Sequence, residues 1–126
     1  MNRYFEERLE KILANMNNNG GFYLSLIATS EGLLVSSTSS EYDSETIAAI
    51  ASLVGETASR AERHLGFLRT DEVSVVDRHN VRLVCHRFEV GEKTFILVLL
   101  VPYSKPYRRI SSKALAEIRM CFKNKI

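Results

Sequence analysis

Cys85 and His86 are the one place in this 126-residue chain where a thiol and an imidazole are neighbours. Acting together, a cysteine and a histidine make a nucleophile and its base, or two ligands of a metal ion. Adjacent positions in an alternating segment send their side chains to opposite faces of a strand, which keeps this pair apart. Cys85 working with a distant histidine stays open as a nucleophile, beside the plainer reading of a core cysteine. His64 and His79 stand far from it and from each other, at a helix end and in a turn. No CxxC or HExxH spacing occurs, so no metal site is expected. The carboxylate pairs Glu6–Glu7 and Asp71–Glu72 sit at surface-like positions. There is no GxxxxGK[ST], and no GxGxxG opens a helix after a strand, so the chain has no nucleotide cradle of its own. The expectation is a protein that is not an enzyme and carries no cofactor.

Charge is the remaining candidate. Lys105, Arg108, Arg109, Lys113, Arg119, Lys123 and Lys125 are opposed only by Glu117 in the C-terminal stretch, although the whole chain is only +2. Such an end can meet nucleic acid, acidic lipid or an acidic partner. Tyr103 and Tyr107 beside the first group could stack bases, but the aromatic interleaving stops there. Arg119, Lys123 and Lys125 also complement the negative end of a helix dipole, which gives them a structural reason. Nucleic acid is therefore not the expected partner. No apolar run approaches the roughly 18 residues of a membrane span. The N-terminal MNRYFEERLE carries charges where a signal peptide needs an apolar run. Cys85 and Cys121 then read as free, buried thiols, with a disulfide between them left open. The expected location is the cytoplasm.

The elements that must position these residues can be read from periodicity. Residues 3–16 form a first helix with Phe5, Leu9, Ile12, Leu13 and Met16 inward, ended by the run Asn15 to Gly21. Residues 22–29 and 33–37 make two strands around the turn Ser30-Glu31-Gly32. Residues 72–77, 81–89 and 94–101 are three more, the second and third joined at Gly91-Glu92. TFILVLLV is apolar at nearly every position, so it belongs mid-sheet with both faces covered. A last helix starts at Tyr107 or Ser111, with Ile110, Ala114, Ile118, Cys121 and Phe122 inward. The order α-β-β-α-β-β-β-α over residues 1–126 describes one α+β domain with an antiparallel sheet.

The long middle helix, Asp43 to Gly66, dominates this order. Asp43 or Ser44 suits its N-cap, Arg63 and His64 its last turn, and Gly66 its stop. Ile47, Ile50, Ala51, Val54, Ala58, Ala61 and Leu65 recur at three- and four-residue steps as an apolar stripe. Ala48, Ser52, Gly55 and Ser59 form a second stripe of small residues. A glycine inside a helix costs about 1 kcal/mol relative to alanine, so close approach of another backbone would explain it. That backbone is either a second copy of the chain or the chain's own sheet; the plainer alternative is a stripe of merely tolerant surface.

The order of these pieces resembles the roadblock/dynein light chain family. The carrying segments are SLIATSEGLLVSSTSS at 25–40, AAIASLVGETASRAERHLGF at 48–67 and FILVLLVP at 95–102, and together the match spans almost the whole chain. The turn Ser30-Glu31-Gly32 departs from the Asp-Gly of many members, and the first helix, present here, is variable among them. The resemblance implies a five-stranded antiparallel sheet with the long helix on one face and the terminal helices on the other. It implies a homodimer in which the third strand, Val73, Ser74, Val75 and Val76, pairs with its twin while the long helices pack side by side through Ala48, Ser52, Gly55 and Ser59. It implies a non-enzymatic regulator or scaffold that binds a small Ras-like GTPase, as expected for a prokaryotic single-domain member. Glu56, Arg60 and Arg63, along one edge of the long helix, are the candidate partner contacts. An adaptor subunit of a larger assembly without a GTPase, and a small-ligand sensor with a pocket between sheet and helix, are the alternatives.

Overall fold

The computed structural model describes residues 3–124; Lys125, counted in the basic cluster above, lies outside them. Its elements are α1 (Arg3–Gly20), β1 (Leu24–Thr29), β2 (Leu34–Ser37), α2 (Ser44–Leu65), β3 (Glu72–Val76), β4 (Val81–Val90), β5 (Lys93–Pro102) and α3 (Arg108–Lys123). The five strands form one sheet in the order β2-β1-β5-β4-β3, with every neighbouring pair antiparallel. β5 is central, as its unbroken apolar run demands, and seven consecutive residues from Phe95 to Val101 are buried.

Alternation along the strands divides the core in two. Leu24, Leu26, Ala28, Ile96, Val98 and Leu100 point to one face, where Ala48 and Ala51 of α2 meet them. Ile27, Val84, Leu97, Leu99 and Val101 point to the other, against α1 and α3. On that side Phe5, Phe88, Phe95 and Phe122 gather, with Phe5 edge-on to Phe122 at 5.0 Å. Edge-to-face rings add to what burial alone contributes, so this cluster pins the ends of α1 and α3 to the sheet.

The first helix runs four residues beyond its expected end at Met16. Asparagine disfavours helix interiors because its side chain competes for backbone partners, but Asn17 has tertiary partners instead. Its Nδ2 donates to Thr38 Oγ1 at 3.0 Å, and its Oδ1 accepts from Ser25 Oγ. Its carbonyl accepts from both Gly21 N and Phe22 N, and Gly21 turns the chain at φ 67°. A Cβ at Gly20 would lie 2.4 Å from the Phe22 ring, so only glycine fits there.

The long helix begins and ends where its caps lie. Asp43 accepts from Glu45 N at 3.2 Å and from Thr46 Oγ1 at 2.7 Å, and Gly66 closes the far end in the left-handed region at φ 75°.

Candidate functional site

α2 presents three different surfaces around its circumference. The one against the sheet is built of small residues. Ala48 and Ala51 are fully buried, Ser52 Oγ donates to Ser30 O at 2.8 Å, and Ser59 Oγ accepts from Arg87 Nη1 at 2.9 Å. A Cβ on Gly55 would sit 3.3 Å from Ile96 Cδ1. The chain's own sheet lies against the inward side of the small stripe. Ala48 has no surface left for a second copy, and Ser52, Gly55 and Ser59 turn their inward sides to their own chain.

The second surface is apolar and uncovered. Ile50 is 42% exposed, Leu53 66% and Leu65 69%. Within the apolar stripe, Ile50 and Leu65 thus stand on the outer flank, while Val54 stays partly buried. The signal was present in the sequence: apolar residues at 47, 50, 53, 54, 61 and 65 span more of the helix than one sheet face can cover. The loop that follows continues this surface with Phe67 and Leu68, both exposed. On the same side of the sheet lies β3. Val73 and Val75 pair with Cys85 and Leu83, whose side chains belong to the α2-facing core. Ser74 and Val76 alternate to the opposite face. Among the described residues β3 pairs with β4 alone, so its outer edge is open. Val75 and Val76 are exposed there.

Glu56, Arg60 and Arg63 occupy the third surface. All three are exposed, and Arg60 Nη2 lies 3.0 Å from Glu56 Oε1, a solvated i,i+4 pair of little energetic weight. Glu56 rims a shallow groove with Ser30, Ser52, Ser59 and Thr94. Beneath it Arg87 is tied to Glu62, which also accepts from Thr70 N at 2.7 Å. That backbone hydrogen bond, more than the arginine, holds the Glu62 carboxyl below the ordinary carboxylate range.

The residues that suggested chemistry are dispersed or engaged. Cys85 faces α2 while His86 meets Ser111 of α3 at 3.4 Å on the opposite side, as strand alternation requires. Burial, then the charge of Glu72, pushes the Cys85 thiol up to about 12, which keeps it protonated and unreactive. Cys121 is also free and buried. Burial holds His86 below its usual value, against the opposing pull of Glu72 at 3.8 Å. Tyr107 is buried and donates its OH to Glu72 Oε2 at 2.7 Å. Arg82 lies 5.9 Å from the Tyr103 ring and 5.7 Å from that of Tyr107, so both rings already have a cation. No group of three or more metal-ligating side chains occurs among the described residues, and none of their helices is long and apolar enough to cross a membrane. The gap between α2 and the sheet, lined by Gly55, Ala58, Val73, Cys85 and Ile96, is about 10 Å³. That holds at most one water.

A five-stranded antiparallel sheet in this order, with one long helix alone on one face and the terminal helices on the other, is the roadblock fold. No protein-family model matches the chain, and no curated protein is significantly similar to it in sequence. Solved structures are similar throughout. An MglB with a tetrameric arrangement aligns over 100% of this chain and 96% of its own at 16% identity, TM-score 0.84. MglB of Myxococcus xanthus aligns over 100% and 95% at 15% identity, TM-score 0.82. A Roadblock/LC7 domain from Streptomyces avermitilis aligns over 91% and 92% at 17% identity, TM-score 0.65. What is shared at these identities is the fold.

Proposed function

We propose that the protein is a non-enzymatic, homodimeric regulator or scaffold that binds a small Ras-like GTPase. The observation that carries the proposal is the uncovered apolar flank of α2 beside the open edge of β3, on a fold similar to that of MglB. In this reading β3 pairs with β3 of a second copy, which removes an edge that would otherwise recruit strands at random. The two α2 helices then cover each other through Ile50, Leu53 and Leu65. Covering one such side chain contributes roughly 1.5–3 kcal/mol, and two-fold symmetry counts each contact twice. Ser52, Gly55 and Ser59 lie at the margin of that seam.

The GTPase would sit on the surface that the paired helices share. Glu56, Arg60 and Arg63 from both copies border it and supply polar, orientation-fixing contacts. The chain has no phosphate-binding loop, so the nucleotide belongs to the partner. Arg60 and Arg63 lie inside a helix, and Arg60 is paired with Glu56, which argues against an arginine finger. Any effect on hydrolysis would come through the partner's own switch segments, and binding would depend on the nucleotide it carries.

Two measurements test this. Light scattering behind a sizing column is expected to return a dimer at tens of micromolar; a monomer there contradicts the first half. Small GTPases from the same cell, loaded with GDP or a non-hydrolysable GTP analogue, are titrated against the protein. A preference for one form is expected, equal affinity reduces the protein to a passive scaffold, and no binding to any of them leaves the adaptor role in its place.

A further inference from the structure

A trough of about 600 Å³ runs along α3 on the side away from α2. One wall is a stripe of α3 itself, Arg108, Ser112, Leu115 and Arg119, spaced four, three and four apart. The opposite wall is the start of β3 and the middle of β4, with Arg69 and His86 among its side chains. Four arginines line the trough against two carboxylates, Asp71 and Glu72.

Those carboxylates are already engaged. Asp71 lies 3.5 Å from Arg69, and Glu72 is shared among Tyr107, Ser74, Arg108 and His86. Arg87 is committed to Glu62 and Ser59. Arg108, with its side chain 73% exposed, keeps most of its donors for solvent. Arg119 forms no ion pair, and its Nε is buried without a hydrogen-bond partner among the described residues. A buried donor left unpaired is costly, and the Arg119 guanidinium is not held by the protomer's own acceptors at that atom.

We infer that this trough binds an extended acidic peptide of a partner protein, with one apolar side chain between carboxylates. Arg108 and Arg119 are eleven residues apart on one helix, about 16 Å, the length of roughly five residues of extended chain. Guanidinium groups at the two ends match carboxylates in fork geometry, and Leu115 between them supplies an apolar floor. Nucleic acid fits less well. Tyr103 and Tyr107 already face Arg82, and Asp71 and Glu72 would oppose a continuous run of phosphates. The α3 wall is separate from the surface of α2 offered to a GTPase, while the other wall includes the start of β3, the strand that the dimer reading pairs with a second copy.

The experiment is fluorescence anisotropy with a labelled peptide, acetyl-Asp-Glu-Leu-Glu-Asp-amide. Saturable binding is expected, weakened about tenfold by Arg108→Gln or Arg119→Gln, weakened several-fold when serine replaces the peptide's leucine, and unchanged by Arg63→Gln on α2. Both replaced arginines reach solvent, so circular dichroism should show an intact fold. No saturation at about 1 mM, a weak interaction by any standard, overturns the inference. So does binding indifferent to either substitution or to the peptide's leucine. A single-stranded oligonucleotide that displaces the peptide and binds more tightly through the same arginines would overturn it in favour of nucleic acid.

Discussion

α2 and α3 do the same structural job on opposite faces of one sheet, yet they leave opposite surpluses. α2 opens on Asp43, whose carboxylate accepts from the free N–H groups of the first turn, and closes on a left-handed glycine. Its excess is apolar: Ile50, Leu53 and Leu65 remain outside after the sheet is covered. α3 starts at Tyr107 with no side-chain cap and no acid in its first turn. It carries Arg108 and Arg109 at the positive end of its own dipole, an arrangement that disfavours the helix locally. Tertiary contacts hold it there instead, through the buried Tyr107 and its bond to Glu72. Part of that local cost returns through Arg108, which lies 3.4 Å from Glu72 and over the Tyr107 ring. An apolar surplus calls for a surface like itself, and a cationic one for carboxylates.

The largest expected effect breaks the apolar half of this comparison. Ile50→Glu with Leu53→Glu puts four carboxylates into the proposed seam of a dimer and none into the core. The dimer dissociation constant should rise about a thousandfold, roughly 4 kcal/mol, while the thermal midpoint of the monomer stays near that of the parent. Analytical ultracentrifugation over a concentration series reads the first, and a dimer unaffected by both charges would remove α2 from the seam.

Gly55→Arg is next. Because Ile96 Cδ1 lies so close to where its Cβ must go, this variant should strain the protomer itself by about 1–3 kcal/mol, seen as a lower urea midpoint. If the dimer is lost while that midpoint holds, Gly55 faces a second copy rather than its own sheet. The small stripe would then regain its reading as a self-association face.

How far the sequence discloses this architecture depends on which physical signal a residue obeys. The central position of β5 follows from an apolar run that needs two covered faces, and the caps of α2 follow from Asp43 and Gly66. Both are local. The extension of α1 through Asn17 was not legible, because its partners Ser25, in β1, and Thr38, just past β2, are brought near only by the fold. The small stripe of α2 gave equal support to two backbones, since close packing looks the same from either side. The trough on α3 was invisible for another reason. The basic stretch showed its charge, but not that Arg108, Ser112, Leu115 and Arg119 face Arg69 and His86 across a gap.

A smaller effect sharpens the contrast between the two faces at Cys85. With its thiol held near 12, about one molecule in ten thousand is a thiolate at pH 8. Native protein should therefore resist iodoacetamide at Cys85, whereas the urea-unfolded chain reacts readily. Folded and unfolded values also set a sign. The folded thiol titrates above the unfolded one, so the stability that this preference contributes is complete below about pH 9 and is lost as pH rises toward 12. Rapid native labelling of Cys85 would reopen it as a nucleophile.

The smallest effect concerns the cap that α2 has and α3 lacks. The hydroxyl and backbone of Thr46 hold the Asp43 carboxyl below the ordinary aspartate range. A depressed folded value means that the unfolded chain takes up the proton first. The cap's contribution is thus present above the unfolded value and is lost as pH falls through the folded one. The carboxylate is exposed, so solvent screens the effect and only a modest drop is expected. Asp43→Asn keeps a side-chain oxygen for the N–H groups of the first turn and removes the titration. Relative to that variant, the parent should lose thermal midpoint between about pH 5 and pH 3 and match it more closely below. A parallel series on Tyr107→Asp would supply α3 with the side-chain cap it lacks, but at the cost of the buried ring and of its bond to Glu72. That variant should melt earlier at every pH. If it instead proved more stable than the parent, tertiary contacts would not be what holds the start of α3, and the contrast between the two helices would fail at its base.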